Sequence, residues 1–326
     1  MEAYHHIPVL LREVLVYLGP ERGGFFFDGT LGGAGHAQAI LEASADTRLI
    51  GVDRDPEAIA VAAERLERYG DRVQLVRGNY ADAAEQLSEP LAGALLDLGV
   101  SSHQIDEVER GFSFRSGTPL DMRMDRGSRG LDRHTGSGGN PIFDLRSPVR
   151  RTAADLLNEL SESELADLFY RYGEERRSRR LAAEIVRVRR TAPFRTSDDL
   201  ERVLQRALGK RVEAQDRARI FQALRIAVND EIGQLERALP ALRERLAPAG
   251  NLVVLAYHSL EDRLVKEAFR EWSRACICPP QLPVCQCRGR ALGELLTRKA
   301  VKASEQEVAA NPRARSVRLR AWRKAA

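Results

Sequence analysis

The chain has 326 residues, of which 43% are hydrophobic and 30% are charged, and its formal net charge is +4. This apolar content is ample for a buried core, and the length suggests two domains or one domain with a large insertion. No apolar run reaches the 18 residues of a membrane span, and the N-terminal MEAYHHIPVLLREV lacks the pattern of a signal peptide. We therefore expect a cytoplasmic protein without a membrane partner.

Strands and helices alternate in the first third of the chain. Apolar runs predict four strands, which end at Asp28, Asp53, Arg77 and Leu98. Between the second and third strands, PEAIAVAAERLERYG predicts a helix that begins at Pro56. Because the apolar runs do not alternate with polar residues, the strands are expected to be buried on both faces, which is typical of a parallel sheet.

The pattern changes after the fourth strand. Residues 126–151 are rich in Gly, Ser and Arg and predict a flexible loop. Residues 152–215 show helical patterns only, with capping boxes formed by Ser161 with Glu164 and by Thr196 with Asp199. This region therefore predicts a small helical domain.

Strand patterns return near the C-terminus. NLVVLAYHS at 251–259 predicts a buried strand, and ARSVRLRAW alternates apolar residues with Arg, as a half-exposed antiparallel edge strand would. The sequence thus predicts an α/β protein whose sheet is interrupted by an insertion. The expected parts are a first sheet part in residues 1–114, an inserted loop and helical domain in 115–215, and a second sheet part with a basic C-terminal strand region in 216–326.

Two basic segments stand out in this nearly neutral chain. Residues 288–324 contain 11 Lys or Arg against 3 Glu, and residues 110–151 contain 9 Arg against 4 Asp. Such segments are typical of a surface that binds a polyanion. A solvated surface explains either run equally well.

The glycine-rich DGTLGGAGH follows the first strand and precedes a helix, where glycines let the backbone approach a ligand. The dinucleotide pattern fails because Gln38 occupies its third glycine position, and the chain has no P-loop. Asp53, at the end of the second strand, is placed to accept hydrogen bonds from ribose hydroxyls. Adenosine without a pyrophosphate, as in S-adenosylmethionine, fits better than NAD. For the glycine-rich turn alone, a tight strand-to-helix connection is the alternative.

Unusual segments run from one end of the chain to the other, and together they resemble the RsmH (MraW) family of methyltransferases. They are HIPVLL at 6–11, DGTLGGAGH at 28–36, GVDRDPEAI at 51–59, DLGVSSHQID at 97–106, RGFSF at 110–114, PLDMRMD at 119–125, YGEE at 172–175, FQALRIAVNDE at 221–231, YHSLEDR at 257–263, LTRK at 296–299 and NPRARS at 311–316.

The resemblance implies a class I S-adenosylmethionine-dependent methyltransferase fold, with a Rossmann-like, mostly parallel sheet and an inserted helical domain. It implies methylation of the exocyclic N4 amine of a cytidine in the decoding region of 16S ribosomal RNA, within the small ribosomal subunit. The oligomeric state stays open, a homodimer being one alternative. The resemblance assigns cofactor binding to Ala34, Gly35, His36, Asp53, Tyr80, Asp97 and Gln104.

Three residues depart from the family pattern. Ala34 stands where glycine is usual, and it is small enough for the loop. Tyr80 and Tyr257 stand where Phe is common, and both should preserve stacking.

The chemistry of amine methylation suggests three residues for catalysis. A cytosine amine is a poor nucleophile, so acceleration should come mainly from positioning for in-line attack on the sulfonium methyl group. Asp97 is the expected acceptor, for either the amine or the methionine ammonium. His258 is a candidate for proton uptake or base contact, and the alternative is local capping of the next helix together with Ser259. Asn229 is a candidate for the cytosine edge, and the alternative is an ordinary polar helix residue.

All four cysteines lie in two C-x-C pairs, Cys276 with Cys278 and Cys285 with Cys287. Four thiolates so close in sequence could bind one structural Zn²⁺ ion tetrahedrally, whereas the C-x-C spacing favours plain thiols. Zinc sites more often use C-x₂-C, so plain thiols in a flexible loop are the alternative.

The cofactor motifs leave two other functions open. One is a methyltransferase that acts on DNA or protein, because a fold does not determine a substrate. The other is a catalytically idle RNA-binding assembly factor, which the retained set of Asp53, Asp97 and Gln104 argues against.

Overall fold

The structure, a computed structural model, describes residues 8–99, 107–125, 142–145, 151–209, 212–278 and 286–326. Contacts divide the chain into two compact units. The first comprises Met1–Gly99, Ser128–Arg146 and Gly233–Ala326, and the second comprises Val100–Gly127 and Ser147–Ile232. These limits differ from the sequence-based parts, because the segment that follows the fourth strand and the helix that precedes Gly233 both pack within the helical unit.

The first unit is built on an eight-stranded sheet with the order β5-β3-β2-β1-β4-β6-β8-β7. The strands are β1 (Gly24–Asp28), β2 (Thr47–Asp53), β3 (Val73–Gly78), β4 (Leu91–Asp97), β5 (Ile142–Leu145), β6 (Leu246–Ala256), β7 (Gly293–Leu295) and β8 (Arg318–Lys324). The neighbours from β5 to β6 pair in parallel, and β8 runs antiparallel to both β6 and β7. The predicted Rossmann-like, mostly parallel sheet is confirmed.

The described α-helices of both units follow in chain order. They are α1 (Leu11–Leu18), α2 (Gly35–Glu42), α3 (Pro56–Leu66), α4 (Tyr80–Gln86), α5 (Ala153–Glu159), α6 (Glu162–Gly173), α7 (Ser178–Arg189), α8 (Ser197–Leu208), α9 (Ala214–Asn229), α10 (Glu231–Arg245), α11 (Ser259–Trp272) and α12 (Glu305–Ala310). Short 3₁₀ turns are found at Pro20–Arg22, Glu67–Arg72, Val108–Arg110 and Pro312–Ser316.

Apolar side chains cover both faces of the sheet. Phe26 belongs to one buried cluster of the first unit and Phe27 to the other, because successive strand residues point to opposite faces. Leu49 and Ile50 of β2 divide in the same way. This arrangement explains the uninterrupted apolar runs of the sequence.

The predicted flexible loop at 126–151 is wrong for four of its residues. Ile142–Leu145 form strand β5, which pairs in parallel with β3 from Leu75 to Gly78. A short apolar run next to the open edge of β3 gains backbone hydrogen bonds that a loop prediction from composition does not consider. Residues 126–141 and 146–150 lie outside the described residues.

Strand β8 is antiparallel, as predicted, but it is not the edge of the sheet. The short strand β7 pairs on its outer side, with Gly293 opposite Lys324 and Leu295 opposite Trp322. A Cβ atom on Gly293 would lie 2.0 Å from the Arg323 carbonyl oxygen, so this close approach requires glycine. A three-residue strand without strong alternation gives little sequence signal.

The second unit has a helical core of its own. Buried residues of α5 to α9 pack together with Leu120 and Met122 of the preceding segment. The predicted capping boxes at the starts of α6 and α8 are present. Among the described residues of the whole chain, no helix is both long enough and apolar enough for a membrane crossing.

An ion-pair cluster joins α11 to the sheet. The Asp262 carboxylate accepts hydrogen bonds from Arg318 at 2.9 Å and from Arg320 at 2.7 Å. Burial raises the pKa of Asp262, but the two arginines outweigh burial and hold the pKa below its ordinary value. The alternating arginines of β8 thus serve internal packing rather than an exposed edge.

We predict that Asp262→Asn lowers the free energy of unfolding at pH 7 by about 1–3 kcal/mol, since the largely buried Arg320 loses its charged partner. Because the folded pKa lies below the unfolded one, this stabilisation is present above about pH 4 and is lost in more acidic solution. Thermal unfolding between pH 3 and pH 8 should show the variant and wild type converging in acid. Glu267→Gln, exposed on the same helix, is the control, and a loss independent of pH would contradict the prediction.

Candidate active site at the carboxyl end of the sheet

Three neighbouring strands of the first unit end in aspartate. Asp53 ends β2, Asp28 ends β1 and Asp97 ends β4, and these strands lie in the order β2-β1-β4. Because the strands are parallel, their carboxyl ends lie at the same edge of the sheet, where α/β proteins bind ligands. The structure therefore brings together the two predicted aspartates and one that the sequence analysis did not assign to the site.

Asp28 is the most deeply buried of the three, with 1% of its surface exposed. Its Oδ1 accepts a hydrogen bond from the Thr30 amide at 3.2 Å, whereas Oδ2 has no partner within the described part of the chain. Burial first, and then the charges of Asp97 and Asp53, raise the pKa of Asp28 to about 7, although the Thr30 amide lowers it. At neutral pH this carboxyl group is therefore about half protonated, and its protonated form offers an O–H donor.

Asp53 is held by the backbone around it. Its Oδ2 accepts from the Gly32 amide at 2.8 Å, and its Oδ1 accepts from the Asp55 amide at 2.9 Å. Burial raises its pKa to about 6, so it is largely ionised at neutral pH. Each carboxylate oxygen can accept a second hydrogen bond, which suits a pair of ligand hydroxyl groups.

Asp97 is oriented from two sides. Its backbone amide donates to Thr30 Oγ1 at 2.6 Å, and the Tyr257 hydroxyl donates to its Oδ1 at 2.8 Å. Burial and then the charge of Asp97 raise the pKa of Tyr257 far above its ordinary value, so this phenol remains a donor. Gly99, with φ +110°, allows the approach, since a Cβ there would lie 3.2 Å from the Tyr257 ring.

His36 faces the other oxygen of Asp97. Its Nε2 lies 3.0 Å from the Val9 carbonyl, which can only accept, so Nε2 carries the proton. Burial lowers the pKa of His36 to about 4 despite that hydrogen bond, so Nδ1 is an unprotonated acceptor. Nδ1 lies 3.6 Å from Asp97 Oδ2. Two acceptors at this distance suit a shared N–H donor, such as a ligand ammonium group, better than a direct ion pair.

The glycine-rich turn presents backbone to the same edge. Ala34 adopts φ +59° and occupies the N-cap of α2, where it has no polar side chain to cap the helix. No residue larger than glycine fits at position 35, since a Cβ atom there would lie 2.4 Å from Pro8 Cγ. The first amides of α2 are therefore suited to a negatively charged ligand group.

Tyr80 lies beside the turn that follows β1. Asn79 caps α4 by accepting from the Ala81 amide at 2.9 Å, which places Tyr80 at the first position of the helix. A Cβ atom on Gly29 would lie 3.0 Å from Tyr80 Cβ. The half-buried Tyr80 thus lies close to the start of the predicted cofactor loop. Gln104, the remaining predicted cofactor residue, lies outside the described residues.

His258 forms the N-cap of α11. Its Nδ1 accepts from the Glu261 amide at 3.4 Å, and its own amide donates to Glu261 Oε2 at 3.3 Å. Its Nε2 lies 3.1 Å from Glu261 Oε1, without the geometry of a hydrogen bond. The side chain thus caps a helix, as in the alternative left open by the sequence, and a role in proton transfer stays a prediction.

Asn229 belongs to the second unit and is fully buried there. Its Oδ1 accepts from the Met124 amide at 3.0 Å, and its Nδ2 donates to the carbonyls of Met122 at 2.7 Å and Arg225 at 3.0 Å. Met122 has φ +61°. The amide therefore supports the strained PLDMRMD segment, and contact with a cytosine stays a prediction.

The same segment contains an ion pair between Asp121 and Arg123. Arg123 Nε and Nη2 donate to the two carboxylate oxygens of Asp121 at 2.7 and 2.9 Å.

Of the predicted metal ligands, Cys276, Cys278 and Cys287 lie together, and Cys285 lies outside the described residues.

Three contributions to the site escaped the sequence analysis: the proton-binding carboxyl of Asp28, the Thr30 hydroxyl and the Tyr257 hydroxyl. A signal for the first two exists in the DGT triplet at the end of β1. For Tyr257, the sequence analysis considered only stacking by the ring. The signal was the extra hydroxyl group at a position where Phe is common.

We predict that Asp28→Asn stabilises the ligand-free protein by about 1–3 kcal/mol at pH 8, because the amide removes a buried charge and keeps the acceptor for Thr30. Since the folded pKa is above the unfolded one, the wild type loses stability as the pH rises from about 4 to about 7. Thermal unfolding should thus show the two proteins diverging over this range. A variant less stable than wild type at pH 8 would contradict the prediction.

Comparisons with solved structures reveal only distant similarity. A putative methyltransferase from Streptococcus mutans in complex with SAH is 10% identical, with a TM-score of 0.41 and coverage of 98% of this chain and 99% of that chain. A putative rRNA methylase from Clostridium thermocellum is 13% identical, with a TM-score of 0.40 over 98% and 99%.

Sequence relatives are much closer. The ribosomal RNA small subunit methyltransferase H of Gemmatimonas aurantiaca is 50% identical over 326 residues, which cover 98% of this chain and 96% of the relative. The protein of that name from Geotalea uraniireducens is 48% identical over 332 residues, with coverage of 99% and 100%. The model of the MraW methylase family matches residues 3–131 and 142–325. The resemblance inferred from the motifs is thus confirmed, and the chain belongs to the MraW methylase family.

Proposed function

We propose that this chain transfers a methyl group from S-adenosylmethionine to the N4 amine of a cytidine in the decoding region of 16S ribosomal RNA. The observation that carries the proposal is the set of three aspartates at adjacent strand ends beside a glycine-rich turn. The relatives named ribosomal RNA small subunit methyltransferase H support the substrate class. The place of action is the cytoplasm, on RNA within the small ribosomal subunit.

The residues of the first unit match the parts of the cofactor one by one. Asp53 would accept from the ribose hydroxyls, and Tyr80 would flank the adenine. Asp97 Oδ2 and His36 Nδ1 would share the methionine ammonium, since both are acceptors 3.6 Å apart. The amide end of α2, at Gly35, would face the methionine carboxylate.

The bound cofactor supplies an electrophilic methyl group on a positively charged sulfonium. The chain's contribution is positioning and charge: Tyr257 and Thr30 hold Asp97, and the aspartates supply negative potential at the sulfonium. Because one Asp97 oxygen is engaged by Tyr257 and the other faces His36, the geometry favours the ammonium role over the amine role. For Asn229 and His258 we propose positioning, since both use their side chains to support neighbouring backbone.

RNA binding would use only some of the basic residues. Arg318, Arg320 and Arg323 are engaged with Asp262 and Asn251. The exposed cations of the C-terminal segment are Arg290, Arg298, Lys299, Lys302 and Arg315. We propose that these bind phosphates while the target base is flipped out of its RNA context.

The proposal is tested with S-adenosylmethionine carrying a labelled methyl group. The acceptors are small subunits lacking this modification, naked 16S RNA and duplex DNA, and the products are identified as nucleosides by mass spectrometry. We predict N4-methylcytidine from the subunit, its loss in Asp97→Ala, and a reduction of about fivefold in Tyr257→Phe, which removes one hydrogen bond worth about 1 kcal/mol. Glu89→Gln, exposed at the surface, is the matched control.

Each alternative outcome of this experiment would indicate a different function. Methyl transfer to DNA would identify a DNA methyltransferase, and cofactor binding without transfer to any acceptor would identify an idle assembly factor. Transfer to RNA at a position other than the cytosine amine would contradict the proposed target and retain the class of substrate.

A second prediction concerns charge at the sulfur. S-adenosylmethionine is a sulfonium cation, whereas the sulfur of S-adenosylhomocysteine is neutral. As Asp28 ionises with a pKa of about 7, the affinity for the cation should rise relative to that for the neutral product. We expect the ratio of the two dissociation constants to change on the order of tenfold between pH 5.5 and pH 8. Calorimetric titration measures it, and Asp28→Asn should flatten the dependence; a ratio constant with pH in the wild type would refute the electrostatic role.

A further inference from the structure

Three cysteine sulfurs of the first unit lie close together, away from the aspartates. Cys276 and Cys278 follow the end of α11, and Cys287 precedes β7. The Sγ atoms of all three lie within 4.8 Å of one another. Between Cys287 and Cys276 the Sγ–Sγ distance is 3.8 Å. This is far longer than a disulfide bond, and it equals the edge of about 3.8 Å of a tetrahedron with Zn–S bonds of about 2.3 Å.

Backbone amides point at these sulfurs in a reciprocal pattern. The amide of Ile277, the middle residue of the first C-x-C pair, donates to Cys287 Sγ at 3.3 Å. The amide of Gln286, the middle residue of the second pair, donates to Cys278 Sγ at 3.3 Å. Amide donors to sulfur stabilise a thiolate and orient it, as hydrogen bonds around metal ligands do. The two C-x-C pairs therefore contact each other through their neighbouring sulfur atoms and through amide–sulfur hydrogen bonds.

Arg288, next to Cys287, anchors this arrangement to the fold. Its guanidinium donates to the backbone carbonyls of Glu271 and, at 3.2 Å, of Arg274, and to Glu271 Oε1 at 3.0 Å. Glu271 lies in the last turn of α11, and Arg274 lies two residues beyond its end, where a cation is favourable.

We propose that Cys276, Cys278 and Cys287 bind one Zn²⁺ ion as thiolates, forming a structural site that ties the end of α11 to the segment before β7. Soft thiolate ligands in a tetrahedral arrangement select zinc among the divalent metals that take nitrogen, oxygen and sulfur ligands. These three thiolates fill three of the four positions around a tetrahedral zinc ion. The site is independent of the proposed methyl transfer, so failure of either proposal leaves the other standing.

The first test is metal content. Full-length protein is produced in medium with added zinc, dialysed against metal-free buffer and measured by inductively coupled plasma mass spectrometry. We expect about one zinc per chain in the wild type and at least fivefold less in Cys278→Ser. Ile277→Ala is the matched control, because it retains every sulfur and the backbone amide, and it should keep the zinc. Absence of zinc from the wild type, or iron in its place, would overturn the proposal.

A second measurement does not depend on the variants folding well. Co²⁺ is added to metal-free wild-type protein under reducing conditions, and the absorption spectrum is recorded. A thiolate site gives sulfur-to-cobalt charge-transfer bands and the intense visible bands of tetrahedral coordination, which stoichiometric Zn²⁺ should abolish. Zinc should also lower the rate at which iodoacetamide alkylates the cysteines by at least tenfold. A spectrum of octahedral Co²⁺, or alkylation unaffected by zinc, would overturn the proposal.

Discussion

The burial of three carboxylates at adjacent strand ends is the constraint on which the rest of the first unit depends. Negative charges so close together in a low-dielectric environment repel one another strongly. Nearby hydrogen-bond donors stabilise these carboxylates. Amides of the glycine-rich turn donate to Asp28 and Asp53, and the Tyr257 hydroxyl donates to Asp97. Burial, and then the repulsion from Asp97 and Asp53, raises the pKa of Asp28 to about 7, so this carboxyl group is about half protonated at neutral pH.

This requirement explains the glycines and the aromatic residues around the site. The turn after β1 must deliver amides to two carboxylates while α2 packs on Pro8, which leaves no room for a side chain at Gly35. Gly99 allows the Tyr257 ring to reach Asp97. A sheet covered on both faces by apolar side chains supports this edge and holds the strand ends in register.

Polar residues that look catalytic in a sequence can serve the backbone instead. Asn229 uses both its oxygen and its nitrogen to support the turn at Met122, and His258 caps α11. A buried amide without partners would cost on the order of several kcal/mol, so the Asn229 side chain is satisfied by nearby backbone groups. The arginines of β8 follow the same logic, since two of them neutralise Asp262 rather than meet a polyanion.

The sequence by itself determined most of the strands and helices, the parallel sheet, the capping boxes and the family, because these depend on local patterns and on long, unusual motifs. It also identified Asp53, Asp97 and the glycine-rich turn, which stand at predictable strand ends. Only the tertiary structure decided that Asp28 binds a proton, that Tyr257 holds Asp97 and that His36 is a neutral acceptor. It also decided that β5 and β7 complete the sheet and that three cysteine sulfurs converge. Each of these depends on burial or on contacts between distant segments, and neither quantity is encoded in the local pattern.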